Sequence, residues 1–338
     1  MDSLAPVPRP RSYRADNIKC ILMLNVILFH SIIMLDFVKS PPVLAVLTFF
    51  RLSSMPAFCF LLGYYAKKTE KSAPGAVVDF LIPYLIFNTA YVMLYEKVPV
   101  YSISIPEFSY WFLLAAFTWK LISPALARIR YLVPLSIVCA VAIGFATEVD
   151  SAYTMQRIFS DLPFFAAGLM MNENTFTRLT KIPKAIIVPL ALLVLGAAFF
   201  TLQKGWYDLD SLLHLGPYWW YYPTAVWKGA LVRLLSYFGA GVFIVFYLTC
   251  VPDRKLSLVS GIGQRTMLPY LLHPYITDSF NRFIYNHEGL QVWYYTLPLA
   301  VAVSIAALLF LSLPVWDRAY KFCSRGLKKL LIRTEPAV

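Results

Sequence analysis

Charge is scarce in this sequence. Asp, Glu, Lys and Arg supply 14% of its 338 residues, whereas an ordinary soluble domain is about a quarter charged. The shortage excludes a soluble globular protein of the usual kind. Cysteine is sparse too. Cys20, Cys59, Cys139, Cys250 and Cys323 are scattered. No pair has zinc-like or redox-like spacing, which argues against a disulfide framework and a metal site. There is no Walker loop, dinucleotide fingerprint, zinc-protease motif or internal repeat. Histidine occurs only four times, so each one carries information.

Apolar residues are abundant. They make up 59% of the chain, and the mean hydropathy is +0.64. They come in blocks near twenty residues long, the length that crosses a bilayer, and the alternation of a membrane barrel is absent. The fold class is therefore all-α, a polytopic integral membrane protein of about ten transmembrane helices. The expected spans are 17–37, 42–66, 77–96, 108–126, 131–147, 158–172, 184–203, 229–251, 262–284 and 292–316. They form a membrane domain over 17–316, between an N-terminal tail (1–16) and a basic C-terminal tail (317–338). The first block is too long for a signal-peptide core and lacks a small-residue cleavage site, so it is expected to stay as a helix. Pro56, Pro83, Pro189 and Pro269 fall inside spans, where neighbouring helices can satisfy the freed carbonyls.

The net charge of +12 does not point to a nucleic-acid partner, because cytoplasmic loops of membrane proteins collect Lys and Arg. With the N-terminus inside, twenty of the thirty Lys and Arg fall on the cytoplasmic side, six on the other and four within spans. That asymmetry implies that both termini are cytoplasmic. The C-terminal tail reads as an amphipathic helix on anionic lipid, with Lys321, Arg325, Lys328, Lys329 and Arg333 set among apolar residues. The long outer loop from Lys204 to Lys228 is aromatic. It reads either as an interfacial belt or as a platform that stacks on a sugar, with Asp208, Asp210 and His214 near enough in sequence to bond hydroxyls.

The first span organises the rest. Arg14, Asp16 and Lys19 open it, and His30 follows eleven residues after Lys19. That spacing is about 16 Å along a helix, on nearly the same face. It puts Lys19 at the membrane surface and His30 near the midplane. His273, in Tyr270-Leu-Leu-His273-Pro, is expected at similar depth, so the two could share one cavity. Arg51 in the second span needs a partner or an anionic ligand. Ionisable groups at such depth are costly and are functional candidates by default, the other reading being satisfied structural groups. Asp36, Asp79 and Asp161 sit at expected span ends and read equally well as helix-end or snorkelling groups.

These residues resemble the membrane acyltransferase 3 family. A basic residue, ten others and a histidine are the family's first-helix signature, matched by Lys19 and His30. Met55-Pro56-x-Phe58-x-Phe60-x-x-Gly63-Tyr64, Pro83-Tyr84, Tyr110-Trp111-Phe112-Leu113, Asp161-Leu-Pro163-Phe164-Phe165-x-x-Gly168 and Tyr270-Leu-Leu-His273 follow in the family's order. The second-helix form is similar to the fucose 4-O-acetylase-like branch. Leu62 stands where the family usually has Ser, and Lys68-x-x-Lys71 where it often has an Arg-x-x-Arg pair.

The resemblance implies transfer of an acyl group, usually acetyl, from cytoplasmic acyl-coenzyme A to a hydroxyl of a sugar, glycolipid or small metabolite. No permanently bound cofactor is implied; acetyl-CoA is the donor substrate. Arg14, Lys19, Lys67, Lys68 and Lys71 would meet its phosphates. His30 suits a general base, and His273 or Arg51 could orient it or stabilise the oxyanion. The rival reading is a proton-coupled transporter or a lipid or polysaccharide flippase, since deep histidines also suit proton relays. The membrane would be the plasma (inner) membrane in a bacterium, or an endomembrane or plasma membrane in a eukaryote. On the charge asymmetry, a membrane-impermeant thiol probe applied to intact cells should label Ser211→Cys and miss Thr334→Cys. Labelling of the second site and not the first would overturn the arrangement.

Overall fold

Each apolar block coincides with a helix, and no strand is present among the described residues. A computed structural model describes residues 12–35, 40–67, 75–96, 104–147 and 154–331, without the side chains of Glu96, Leu213, His214 and Glu288. Lys68, Lys71 and Asp36 lie outside the described residues. In order, the helices begin with α1 (Arg14–Ile32) and α2 (Pro41–Tyr65), then α3 (Ile82–Tyr91) between π-helical turns at Val77–Leu81 and Val92–Glu96. Next come α4 (Trp111–Leu126), α5 (Leu132–Ala142), α6 (Met155–Met170), α7 (Glu173–Leu179) and α8 (Lys184–Gln203). Two short outer-loop helices follow, α9 (Leu209–His214) and α10 (Tyr218–Tyr221). The chain ends with α11 (Val226–Cys250), α12 (Ser257–Gly263), α13 (Met267–Tyr285), α14 (Trp293–Leu311) and α15 (Pro314–Leu331).

Local sequence sets several of these boundaries. Pro41 and Pro42 open α2, where a missing N–H costs nothing. The first π turn of α3 lies just before Pro83, whose ring interrupts the α-helical ladder. Asn172 caps α7 through the Thr175 amide at 2.7 Å.

Among the described residues, six helices are long and apolar enough to cross a membrane by length and composition. The expected fourth, fifth, sixth and ninth spans are not among them: α4, α5 and α6 are too short, and α13 is made polar by residues such as His273, Asp278 and Arg282. The expected ninth span is also two helices, broken between Gly263 and Met267. The break lets α12 cross the start of α1, where a Cβ on Gly263 would overlap the Asp16 carbonyl.

α1 is the central rod. Leu22, Met23, Ile27 and Ile32 are fully buried on different sides of it and join three of the core clusters. A helix that is apolar all round must be buried all round. Its few polar groups each tie it to a different neighbour. Asn17 bonds the carbonyls of Pro252 and Arg254 at 3.0 Å, and Asn25 bonds the Tyr247 hydroxyl at 3.2 Å. Ser31 meets Ser304 at 3.2 Å, and Asn281 donates to the His30 carbonyl at 2.9 Å. By contrast, α8 has 11% of its apolar window buried, as suits a lipid-facing helix.

A second close crossing is between α2 and α6. A Cβ on Gly63 would overlap the Phe165 carbonyl, and one on Gly168 the Phe60 carbonyl. Two of the resemblance motifs therefore meet through their glycines, which let the backbones touch. Gly168→Ala should lower the unfolding free energy by about 1–3 kcal/mol, the usual range for overpacking. A melting temperature equal to wild type in the same detergent would contradict this crossing.

Candidate active site

α1, α2, α6, α13 and the loop before α4 enclose a cavity of about 600 Å³. His30 lines it from the last turn of α1, two residues before the helix ends. The helix spans Arg14–Ile32 where the sequence suggested 17–37, so His30 sits nearer its end than expected. His273 lies six residues into α13, and the two imidazole centroids are 5.2 Å apart. The histidines do meet, but they do not share the cavity. His30 opens on it, while His273 is fully buried behind it.

Backbone carbonyls fix both rings. His30 Nδ1 lies 2.9 Å from the Val26 carbonyl oxygen. His273 Nδ1 lies 2.8 Å from the Tyr270 oxygen and 3.1 Å from the Pro269 oxygen. A carbonyl only accepts, so each neutral ring carries its proton on Nδ1 and leaves a lone pair on Nε2. Sequence explains the second case. Pro274 has no N–H for the Tyr270 carbonyl four residues earlier, and the His273 ring takes that acceptor. Among the described residues, the His273 Nε2 has no hydrogen-bond partner.

Phe108 covers His30, with ring centroids 4.7 Å apart. Its loop is pinned to α13 by Tyr110, whose hydroxyl donates to the Leu271 carbonyl at 2.8 Å, and by Tyr270, which donates to the Ser109 carbonyl. Phe108 has a φ of 51°, Thr154 of 55° and Leu215 of 56°. Among the described residues these are the non-glycine positions in the left-handed region. The first two line the cavity and the third precedes Gly216, which also lines it. Such backbone costs of order 1–3 kcal/mol per residue and tends to cluster at functional sites.

The opposite wall is charged. Arg51 donates through Nε to the Leu212 carbonyl, and its Nη2 is 4.0 Å from Asp161 Oδ1. Asp161 is fully buried, so of its two readings the snorkelling or helix-end one does not fit. Arg157 lines the cavity beside them and lies 4.5 Å from the Trp111 ring. At the rim, Arg282 Nε pairs with Asp278 Oδ2 at 2.7 Å. The aromatic loop divides between cavity and surface. Trp220 and Tyr221 line the cavity, while Trp206, Trp219 and Trp227 are exposed. Burial pushes the Tyr221 phenol up to about 12; Asp210 adds to the effect and Arg157 opposes it.

A family model described as an acyltransferase domain, that of the acyltransferase 3 family, matches residues 12–316. The chain belongs to the acyltransferase 3 family. With its apolar helices, that membership makes it a membrane acyltransferase. Searches of curated proteins and of solved structures gave no match.

In this acyltransferase 3 protein the described members of the expected donor-binding set, Arg14, Lys19 and Lys67, lie away from His30, toward the other end of α1. Arg14 Nε donates to the Val251 carbonyl at 3.0 Å, and Lys19 pairs with Asp16 at 2.9 Å. Lys67 donates to the Met171 carbonyl and sits 3.8 Å over the Tyr64 ring. Burial holds the Lys67 ammonium below its ordinary value, and Glu173 acts against that. Asp79 pairs with Lys328 of α15 at 2.7 Å. Sequence reasoning passed over Arg157. The signal was there, since Arg157 and Asp161 are four residues apart and share a helix face. Asp278 and Arg282 have the same spacing.

Proposed function

We propose that this membrane acyltransferase moves an acyl group, acetyl foremost, from acyl-coenzyme A to a hydroxyl of a sugar, glycolipid or small metabolite, as in the fucose 4-O-acetylase-like branch. His30 is the general base. The observation that carries this reading is the bond from His30 Nδ1 to the Val26 carbonyl at 2.9 Å, which leaves a basic Nε2 on a ring that lines the cavity. A thioester is already activated. Transfer then asks the protein to take the hydroxyl proton and to stabilise a tetrahedral oxyanion.

His30 Nε2 takes the proton as the acceptor oxygen attacks the thioester carbon. The tetrahedral intermediate collapses with loss of the coenzyme A thiolate, which recovers the proton. Arg51, on the facing wall, supplies positive charge to the oxyanion. His273 positions and electrostatically supports His30 from behind. The donor's phosphates sit at the basic end of the bundle, with Arg14, Lys19 and Lys67 and with Lys68 and Lys71 of the adjoining segment. In this reading the bundle has ten spans with both termini cytoplasmic, and α15 rests on anionic lipid.

The test is coenzyme A release by purified protein given acetyl-CoA and a hydroxyl acceptor. His30→Gln keeps hydrogen bonding but cannot take up a proton at neutral pH. It should lower turnover by about 10² to 10⁴ while yield and melting temperature stay at wild-type values. Near-full turnover in His30→Gln would remove His30 from the base role and move the search to His273.

A further inference from the structure

A second cavity, of about 580 Å³, shares no lining residue with the one that holds His30. Ile82 and Phe87 of α3, Leu272 of α13 and Phe310 of α14 form one side of it, and Trp316 and Cys323 of α15 the other. Among the described residues no charged side chain lines it. Trp316, Tyr320, Cys323 and Leu327 recur every three or four residues, so one face of α15 looks into the cavity. Arg318, Lys321, Arg325 and Lys329 fall on the opposite face. A charged cluster borders one end. Lys328 Nζ pairs with Asp79 at 2.7 Å, and the residues beside them, Leu327 and Val78, line the cavity. Lys120 of α4 sits 5.3 Å over the Phe80 ring and interacts electrostatically with both Asp79 and Lys328. Among the described residues this cluster sets two ammonium groups around one carboxylate.

We infer that this cavity holds one acyl chain of an anionic glycerophospholipid, whose phosphate lies beside Lys120 and Lys328. The site is independent of the acyl-transfer chemistry. It holds a single lipid within the fold, which is more than the resting of α15 on a membrane surface. An apolar lining offers a polar metabolite nothing in exchange for its water, whereas a hydrocarbon chain loses nothing there. The helices that include α3 and α14 are long and apolar enough to span a membrane, so the cavity opens at the level of lipid. A helix with a basic face and an apolar face, as in α15, belongs at the membrane interface, where lipid phosphates lie. The surplus ammonium charge selects an anionic head group, the usual ligand of basic pockets beside membrane helices. It also disfavours a second copy of this chain, whose net charge is +12.

The test uses lipids with brominated acyl chains, which quench a tryptophan that they touch. Purified full-length protein in detergent is titrated with brominated phosphatidylglycerol and, separately, brominated phosphatidylcholine. The chain has eight tryptophans, so the Trp316 signal is taken as the difference between wild type and Trp316→Phe. Phosphatidylglycerol should quench that signal and saturate near one lipid per protein. Phosphatidylcholine should need about tenfold more, the size of one charged hydrogen bond. Lys120→Gln should narrow the difference between the two lipids, and Lys120→Gln with Lys328→Gln should erase it. Ala319→Phe and Cys323→Phe each put a ring into the cavity and should each block the quenching. Equal titration by the two lipids in wild type would overturn the inference. So would a preference that survives the double substitution, or quenching that persists in both ring-bearing variants. A Trp316 emission that follows protein concentration and ignores lipid would assign the cavity to a second copy and also overturn it.

Discussion

Two backbone carbonyls determine which nitrogen of each central imidazole carries the proton. Val26 and Tyr270 accept from the Nδ1 atoms of His30 and His273, which turns both Nε2 atoms into lone-pair donors. Much of the fold serves to hold those two helix turns side by side. Asn281 bridges α13 to the His30 carbonyl. Pro274 frees the Tyr270 carbonyl, and Tyr110 and Tyr270 fasten the Phe108 loop over the pair. On the far side, the glycine crossing of α2 and α6 brings Arg51 and Asp161 into the same layer.

This arrangement is locally unfavourable. Phe108, Thr154 and Leu215 hold left-handed backbone, the His273 Nε2 is buried without a partner among the described residues, and Asp161 is buried among arginines. The surrounding helices offset these costs with an apolar core that runs through α1. Left-handed backbone and buried charge coincide at one cavity. Such a concentration is what a functional site requires of an otherwise consistent fold.

The helices were legible because their signal is simple, namely apolar blocks of bilayer length. The roles of α6 and α13 were harder to read, since the polar residues that build the site weaken that signal. His30 and His273 stood out because ionisable groups are rare in such blocks. Their places along the helices did not, because these depend on helix ends that sequence places only within a few residues. α1 ends at Ile32 and α13 begins at Met267, and these boundaries moved both histidines from their expected positions. Arg157 escaped because its spacing to Asp161 says which face it shares and not which way that face points. The tautomers became readable only with coordinates, although the proline after His273 was a usable hint.

The claim on which the account turns is that His30 presents an unprotonated Nε2. The chain has four histidines, so ¹⁵N-histidine spectra of the protein in bilayers at neutral pH can be assigned by comparison with His30→Gln. The account predicts that the missing resonances belong to a neutral ring with a protonated Nδ1 and a bare Nε2. A proton on Nε2 of His30 would contradict it.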